Sequence, residues 1–321
     1  MIKVQNLSKS YGLLKAVDSI SFNVRHGETL ILLGTSGCGK TTTLRMLNRL
    51  IEPSKGSIEL NGRDITTEQS EKLRRGIGYV LQDNGLFPHY TVAENIAIVP
   101  KLLKWDKQKI NKRSGELLEK LSLPASQFLN VYPEQLSGGQ QQRVGLARAL
   151  MANPPVLLMD EPLGSLDPVT RAAIRKEFNA LDELKGKTIV MVTHDIAEAF
   201  ELGDRICLMD QGKIIQIGTP YELLFHPENN FVKDFFKEQR FQLELKTLTI
   251  ADIWNFIPEQ DETAATLYNN SDTDIWEALS LLVESENNLI LINNPLLGSS
   301  KACGYKEIMT AYSEFKNTKN E

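Results

Sequence analysis

The sequence contains no apolar run near the roughly 18–20 residues needed to cross a bilayer. Its opening, Met1-Ile-Lys-Val-Gln-Asn6, has no apolar core of signal-peptide length. The expectation is a cytoplasmic chain; if it works at a membrane, another chain must do the spanning. Cysteine is scarce: Cys38, Cys207 and Cys303 are odd in number and lack paired spacing, which excludes a disulfide framework and a zinc knuckle. A strong excess of one charge is also missing. The 36 Lys and Arg stand against 41 Asp and Glu, net -5, which argues against a nucleic-acid binder that needs a basic face.

What is present is an ordinary soluble composition, 41% hydrophobic and 24% charged over 321 residues, enough for one large domain plus a small one. The charge is unevenly spread: residues 241–321 carry net -8, and the first 240 carry +3. A mildly basic body with an acidic last quarter suggests two units with different tasks.

Short apolar runs alternate with helical patterns. Thr29–Leu33, Gly78–Leu81, Val156–Met159, Thr188–Thr193 and Arg205–Met209 read as strands. A helix is expected over Lys40–Leu50, and residues 91–152 read as mostly helical, with breaks at Pro100, Pro124 and Pro133. Fully apolar strands separated by helices predict a parallel sheet covered on both faces. A boundary is expected near 231–240. Beyond it come a strand at Thr266–Asn269, a helix at Ile275–Glu284, a strand at Asn288–Ile292 and a helix from Tyr305 to about Phe315.

Three motifs carry chemistry. Gly34-Thr35-Ser36-Gly37-Cys38-Gly39-Lys40-Thr41 fits G-x-x-x-x-G-K-[ST] between a strand and a helix. Glycines there let backbone N–H groups turn inward around phosphates, and the helix N-terminus adds favourable partial charge. Lys40 can reach the β- and γ-phosphates, and the Thr41 hydroxyl can bind Mg²⁺. Cys38 reads as a small loop residue, since no base accompanies it. The run Val156–Met159 ends in Asp160-Glu161, placing carboxylates at the C-terminal end of a buried strand, where ligands bind in open α/β sheets. Asp160 suits a Mg²⁺ shell; Glu161 is positioned to polarise a water attacking the γ-phosphate. Leu136-Ser137-Gly138-Gly139-Gln140 opens a helical run in which Ser137 can cap and the glycines expose amides, a second anion-binding helix start.

With these motifs on the page, residues 1–240 resemble the ATP-binding-cassette ATPases. The resemblance implies a P-loop (RecA-like) α/β fold with a parallel-sheet core, an antiparallel N-terminal part and a helical subdomain over about 83–152. It also implies a head-to-tail homodimer that hydrolyses ATP with Mg²⁺. The ATP-binding set would be Tyr11, where the family stacks an aromatic ring on adenine, with residues 34–40, Thr41, Thr42 and Gln82. The metal set would be Thr41, Gln82 and Asp160. Glu161 and His194, the counterpart of the family's switch histidine, would be catalytic. Ser137, Gly138, Gly139 and Gln140 would complete the site across the dimer, and Ser165-Leu-Asp167 would cross it.

Asn84–Asn95 resembles importer ATPases, where a coupling helix of the permease docks, and Ile96–Leu103 and Gly203–Pro220 resemble the ATPases of glycine betaine/choline/proline importers. This implies permease and substrate-binding partners, a place at the inner face of the membrane, and no nucleic acid. The segment 241–265 is expected to be a linker, and 266–321 resembles a single CBS repeat of α+β type. Where nucleotide-binding repeats carry Ser/Thr and Asp at the last helix, this chain has Tyr305-Lys-Glu307. The acidic tail suggests ionic-strength sensing, since salt screens over about 8 Å at physiological ionic strength. Alternatives are an importer ATPase for an amino acid, methionine or another betaine, and a soluble repair or translation ATPase. The 120 residues from Lys40 to Asp160 hold no sustained heptads, and only one signature is present, which disfavours the last.

Overall fold

A computed structural model describes residues 1–83, 85–164, 166–258, 267–285 and 287–320, without the side chains of residues 267, 268 and 320. Asn84, Ser165 and Thr266, each part of a segment read from the sequence above, lie outside the described residues. The chain divides into two compact units, Met1–Thr219 and Pro220–Glu321.

The first unit begins with β1 (Ile2–Tyr11), β2 (Leu14–Val24), β3 (Thr29–Gly34), α1 (Lys40–Leu47), β4 (Lys55–Leu60), β5 (Arg63–Asp64), α2 (Ser70–Arg75) and β6 (Ile77–Val80). A helical stretch follows: α3 (Val92–Ile96), α4 (Ile98–Leu102), α5 (Lys107–Lys120), α6 (Ala125–Phe128) and α7 (Gly138–Leu150). It closes with β7 (Val156–Asp160), α8 (Pro168–Ala180), β8 (Thr188–Val192), α9 (Ile196–Leu202), β9 (Arg205–Asp210) and β10 (Lys213–Gly218).

The central sheet has the order β10-β9-β3-β8-β7-β6. Its strands pair in parallel except β10, which returns antiparallel to β9. Strands β7 and β8 are buried at every position, as a sheet covered on both faces requires. Each fully buried Leu, Ile, Val or Met there contributes about 1.5–3 kcal/mol over its exposed form. A second, antiparallel sheet of order β2-β1-β4-β5 forms the expected N-terminal part. Ile2, Val4, Leu7 and Phe22 of that sheet share one core with Leu44 and Met46 of α1 and Leu30, Leu32 and Leu158 of the central sheet.

The expected helical subdomain is present, with small differences at its prolines. Pro100 sits inside α4 rather than ending it. It has no N–H to give the carbonyl of Ile96, so α3 stops at that residue and a new short helix starts. Pro124 precedes α6, and Pro133 opens a single 3₁₀ turn. α1 ends at Leu47, three residues before the expected Leu50, with Asn48 as its cap and Arg49 at φ 54°.

The second unit holds α10 (Pro220–Phe225), α11 (Asn230–Phe235), α12 (Arg240–Thr247) and α13 (Ile250–Ile253). These are followed by β11 (Leu267–Asn270), α14 (Ile275–Glu284), β12 (Ile290–Asn294), β13 (Ser299–Cys303) and α15 (Tyr305–Asn320). The order from β11 is β-α-β-β-α, with β12 central, parallel to β11 and antiparallel to β13.

Two sequence expectations shift here. The unit begins at Pro220 rather than near 240, because Tyr221 and Phe225 pack against its core, Phe225 edge-on to Phe315 at 6.0 Å. The described part of the 241–265 segment is folded rather than a linker: Leu245, Leu248, Ile250, Ile253 and Trp254 belong to the same core as Ile290 and Ile308. The buried carboxylate of Glu244 accepts from Arg240 (2.6 Å), Lys316 (2.8 Å) and the hydroxyl of Tyr312. Two cations and a hydroxyl on α12 and α15 satisfy this inward-pointing acid, which is what lets a charged stretch belong to a core.

Candidate functional site

The site forms at the C-terminal ends of β3, β7 and β8, neighbours in the sheet. β3 runs into the turn of residues 34–39, and α1 starts at Lys40. Two glycines of this turn are sterically fixed. At Gly34 (φ 152°) a Cβ would fall 2.1 Å from the carbonyl oxygen of Met209, and at Gly39 (φ 103°) it would fall 2.4 Å from that of Ala16. The turn is therefore wedged between β9 and the β1–β2 hairpin. Thr35, Ser36 and Gly37 are exposed, and Cys38 faces inward among the core residues. Burial pushes the Cys38 thiol above its ordinary range, which suits an inert packing residue. Thr35 Oγ1 donates to Asp210 at 3.0 Å, an anchor that sequence reading missed.

The Lys40 side chain is buried, and its ammonium lies within the turn, donating to the carbonyls of Gly34 and Thr35 at 2.8 Å each. Thr41 Oγ1 donates to Asp160 Oδ1 at 2.9 Å across 119 residues of sequence, and Thr42 follows on α1, half-buried. Asp160 is 1% exposed, and Arg45 lies 3.5 Å from its second oxygen. Tyr79 is pushed up to about 12, first by burial and then by the nearby Asp160. The roles of Arg45 and Tyr79 were not legible, because neither belongs to a motif.

Glu161 follows Asp160 with φ 47°, the left-handed region that a residue with a Cβ enters at a cost of about 1–3 kcal/mol. The strained peptide is pinned: its N–H donates to Val192 at 3.0 Å, and its carbonyl accepts from Gly164 at 3.1 Å. This conformation swings the side chain toward two neighbours. His194 Nδ1 lies 3.0 Å from Glu161 Oε2, and Gln82 Nε2 donates to the same oxygen at 3.4 Å. Four residues expected at one site, Gln82, Asp160, Glu161 and His194, thus meet beside Thr41.

The remaining expected residues are held by contacts of their own. Ser137 caps α7, and it and Gln140 satisfy each other, Ser137 N–H to Gln140 Oε1 at 2.9 Å and Gln140 N–H to Ser137 Oγ at 3.3 Å. Gly138 is exposed, and Gly139 is half-buried where a Cβ would meet Thr170 of α8 at 3.1 Å. Among the described residues no hydrogen bond found joins residues 137–140 to residues 34–42. Asp167 caps α8, accepting from the N–H groups of Val169 and Thr170, and the Thr170 side chain, followed by these backbone bonds, holds its carboxyl below the usual range. Tyr11, half exposed at the end of β1, has the Lys9 ammonium 5.2 Å from its ring centre.

A family profile described as "ABC transporter" matches residues 17–164. The carnitine transport ATP-binding protein OpuCA of Listeria monocytogenes serotype 1/2a (strain 10403S) is 45% identical over 298 residues, spanning 90% of this chain and 74% of that one. The chain belongs to the ATP-binding-cassette transporter ATPases. As an ATPase of that family it is also similar to the glycine betaine uptake system ATP-binding protein YehX of Escherichia coli (strain K12), 45% identical over 88% of this chain and 91% of that one. Among solved structures, the cassette MJ0796, described as a dimer in a post-hydrolysis state bound to ADP and Pi, matches 68% of this chain and 98% of its own. The TM-score is 0.61 at 34% identity. The matched residues 17–164 lie within the first unit, which also holds the turn of residues 34–39 and the strand ending at Asp160. Among the described residues no helix is long and apolar enough to cross a membrane.

Proposed function

We propose that this ATPase is the nucleotide-binding subunit of an importer for an osmolyte of the glycine betaine, choline, carnitine or proline type. The observation that carries the catalytic part of this reading is the single carboxylate oxygen, Glu161 Oε2, shared by His194 and Gln82 beside the Thr41–Asp160 pair. The substrate class is supported by the carnitine and glycine betaine transport of relatives 45% identical over about nine-tenths of the chain.

In this reading the phosphates of ATP lie on the N–H groups of residues 34–42, with Lys40 against the β- and γ-phosphates and Tyr11 under the adenine. The donor set fits Mg²⁺, a hard cation that takes one or two carboxylates plus phosphate oxygens and water: Asp160, the Thr41 hydroxyl and the Gln82 carboxamide are all oxygen donors. That ion, when bound, supplies charge neutralisation on the phosphate oxygens. Glu161 takes the proton of the attacking water, and its place at the end of a buried strand keeps it aimed. His194 orients that carboxylate and meets the γ-phosphate.

Among the described residues the 137–140 helix start makes no hydrogen bond to residues 34–42, which supports its acting on the nucleotide of a second copy in a head-to-tail homodimer, with residues around Asp167 crossing the interface. Closure of the pair completes both sites and drives the stroke. The helical subdomain receives a transmembrane permease at the inner face of the membrane, and a substrate-binding protein delivers the solute. The β-α-β-β-α order of the second unit supports a single CBS-like regulatory module. The test is ATP hydrolysis by the purified chain, followed by uptake of labelled glycine betaine, choline, carnitine and proline in cells carrying the chain with its neighbouring permease. Uptake of an amino acid or methionine instead would transfer the subunit to the alternative importer class.

A further inference from the structure

We infer that Arg171 is a positioning residue that ties the loop crossing the dimer to the loop carrying His194, so that the two loops move as one. This inference rests on the catalytic reading given above. Arg171 lies in the first turns of α8, and its N–H bonds to the carbonyl of Asp167 at 2.9 Å. Its guanidinium turns back along the helix and forks. Nη2 donates to the carbonyl of Leu166 at 3.0 Å, immediately before Asp167, and Nη1 pairs with Asp195 Oδ2 at 3.1 Å, immediately after His194. Nε lies 3.8 Å from Glu198 of α9.

Both ends of this bridge are themselves anchored. Asp195 caps α9 with its other oxygen, accepting from Glu198 N–H at 3.1 Å, and its own N–H donates to Thr193 Oγ1 at 3.0 Å. Thr193 in turn donates to Glu198 at 2.6 Å. On the other side, Asp167 caps α8. Since His194 also reaches Glu161 at 3.0 Å, a closed ring results. It runs from Glu161 along the chain to Leu166, through the Arg171 fork to Asp195, and back through His194 to Glu161. A planar, always-charged fork holds two acceptors in one fixed geometry, which a lysine ammonium on a flexible stem does not. Displacement of the crossing loop by a second copy is thereby passed to His194 without any contact between Arg171 and nucleotide. Arg175, 4.0 Å from Asp195 and 2.9 Å from Glu201, supplies a further positive charge; among the described residues its ion pairs run to these two acids, neither of which lies in the crossing loop, so it does not duplicate the link.

The experiment measures steady-state ATPase kinetics of the full-length chain with Arg171→Met, Arg171→Lys, Asp195→Asn and the Arg171→Met/Asp195→Asn pair. Asparagine caps a helix as well as aspartate does, so Asp195→Asn removes the charge while keeping α9. The expected result is a fall in kcat of about tenfold or more for both Arg171 variants, with KM for ATP changed less than about threefold. ATP cooperativity is lost, and the double variant is no slower than Arg171→Met, since the two residues act through one contact. Additive losses, lysine restoring normal kcat, or a KM rise matching the kcat loss would overturn the inference. Unfolding midpoints identify a variant that fails to fold, in which case Asp195→Asn alone decides: unchanged kcat and cooperativity refute the link. Glu161→Gln, run in parallel, separates the two claims. Normal turnover there removes the catalytic reading itself, whereas lost turnover there with normal Arg171 variants removes only this inference.

Discussion

His194 Nδ1 and Glu161 Oε2 lie 3.0 Å apart although 33 residues separate them in sequence. The sheet makes this distance: β7 and β8 pair in parallel with Asp160 opposite Val192, so both chains leave the sheet at the same edge. The positive φ of Glu161 then turns its carboxylate toward the histidine. Replacing Glu161 by Gln keeps shape and removes the base. Turnover is expected to fall about 10³-fold, within the usual span for general-base removal, while ATP binding persists and a closed dimer accumulates. Size-exclusion chromatography with ATP and a phosphate-release assay check both parts; near-normal release would eliminate Glu161 as the base.

At the P-loop, Gly39→Ala places a methyl 2.4 Å from the Ala16 carbonyl at φ 103°. The backbone strain alone costs about 1–3 kcal/mol, and the clash pushes the β1–β2 hairpin away from the turn. Since that hairpin carries Tyr11, ATP affinity should fall along with the unfolding temperature. A variant that melts normally and binds ATP normally would show that the close approach is not needed.

Glu183 offers a pH test. The Arg113 guanidinium, with Lys120, holds this carboxyl down at about 2. Its folded value is below the unfolded one near 4.5, so the stability it contributes is present above about pH 4.5 and is lost as pH falls toward 2. Glu183→Gln should cost about 1–2 kcal/mol at pH 7, the charged hydrogen bonds being half-buried and partly screened by solvent. It should also flatten the acid limb between pH 4.5 and 2. Urea midpoints across that range decide it; parallel acid limbs for parent and variant would contradict the assignment.

The fold boundary predicts a difference between two shortened chains. One ended at Thr219 keeps the first unit intact. One ended at Arg240 keeps α10 but loses Phe315 and the core that Tyr221 and Phe225 pack on, leaving those rings exposed. The longer chain should be the less soluble, by about the cost of exposing two aromatic side chains, and should bind a hydrophobic dye more strongly. Equal solubility would place the boundary nearer 240.

The proposed salt response is tested on the same shortened chain. If the net -8 of residues 241–321 senses ionic strength, transport-coupled ATPase of the chain ended at Thr219 should lose its dependence on potassium salt between about 0.05 and 0.5 M, a range over which screening shortens several-fold. An unchanged salt profile would leave the tail a structural module.

The residue types that meet at the candidate site were legible before the fold, because they stand at fixed local spacing. The turn from Gly34 to Thr41, the apolar strand ending in Asp160-Glu161 and the capped start at Ser137 each need only a few consecutive residues, and strand–turn–helix order follows from local periodicity. Tertiary structure alone decided what those pieces do to one another. That Thr41 finds Asp160, that His194 and Gln82 share one oxygen, and that Arg171 forks to Leu166 and Asp195 depend on strand order and register, which local pattern does not encode. The same reason moved the boundary from 240 to 219. Tyr221, Phe225 and Leu245 look like scattered apolar residues in a charged stretch, and they become core only where distant strands and α15 supply the other half of the contact.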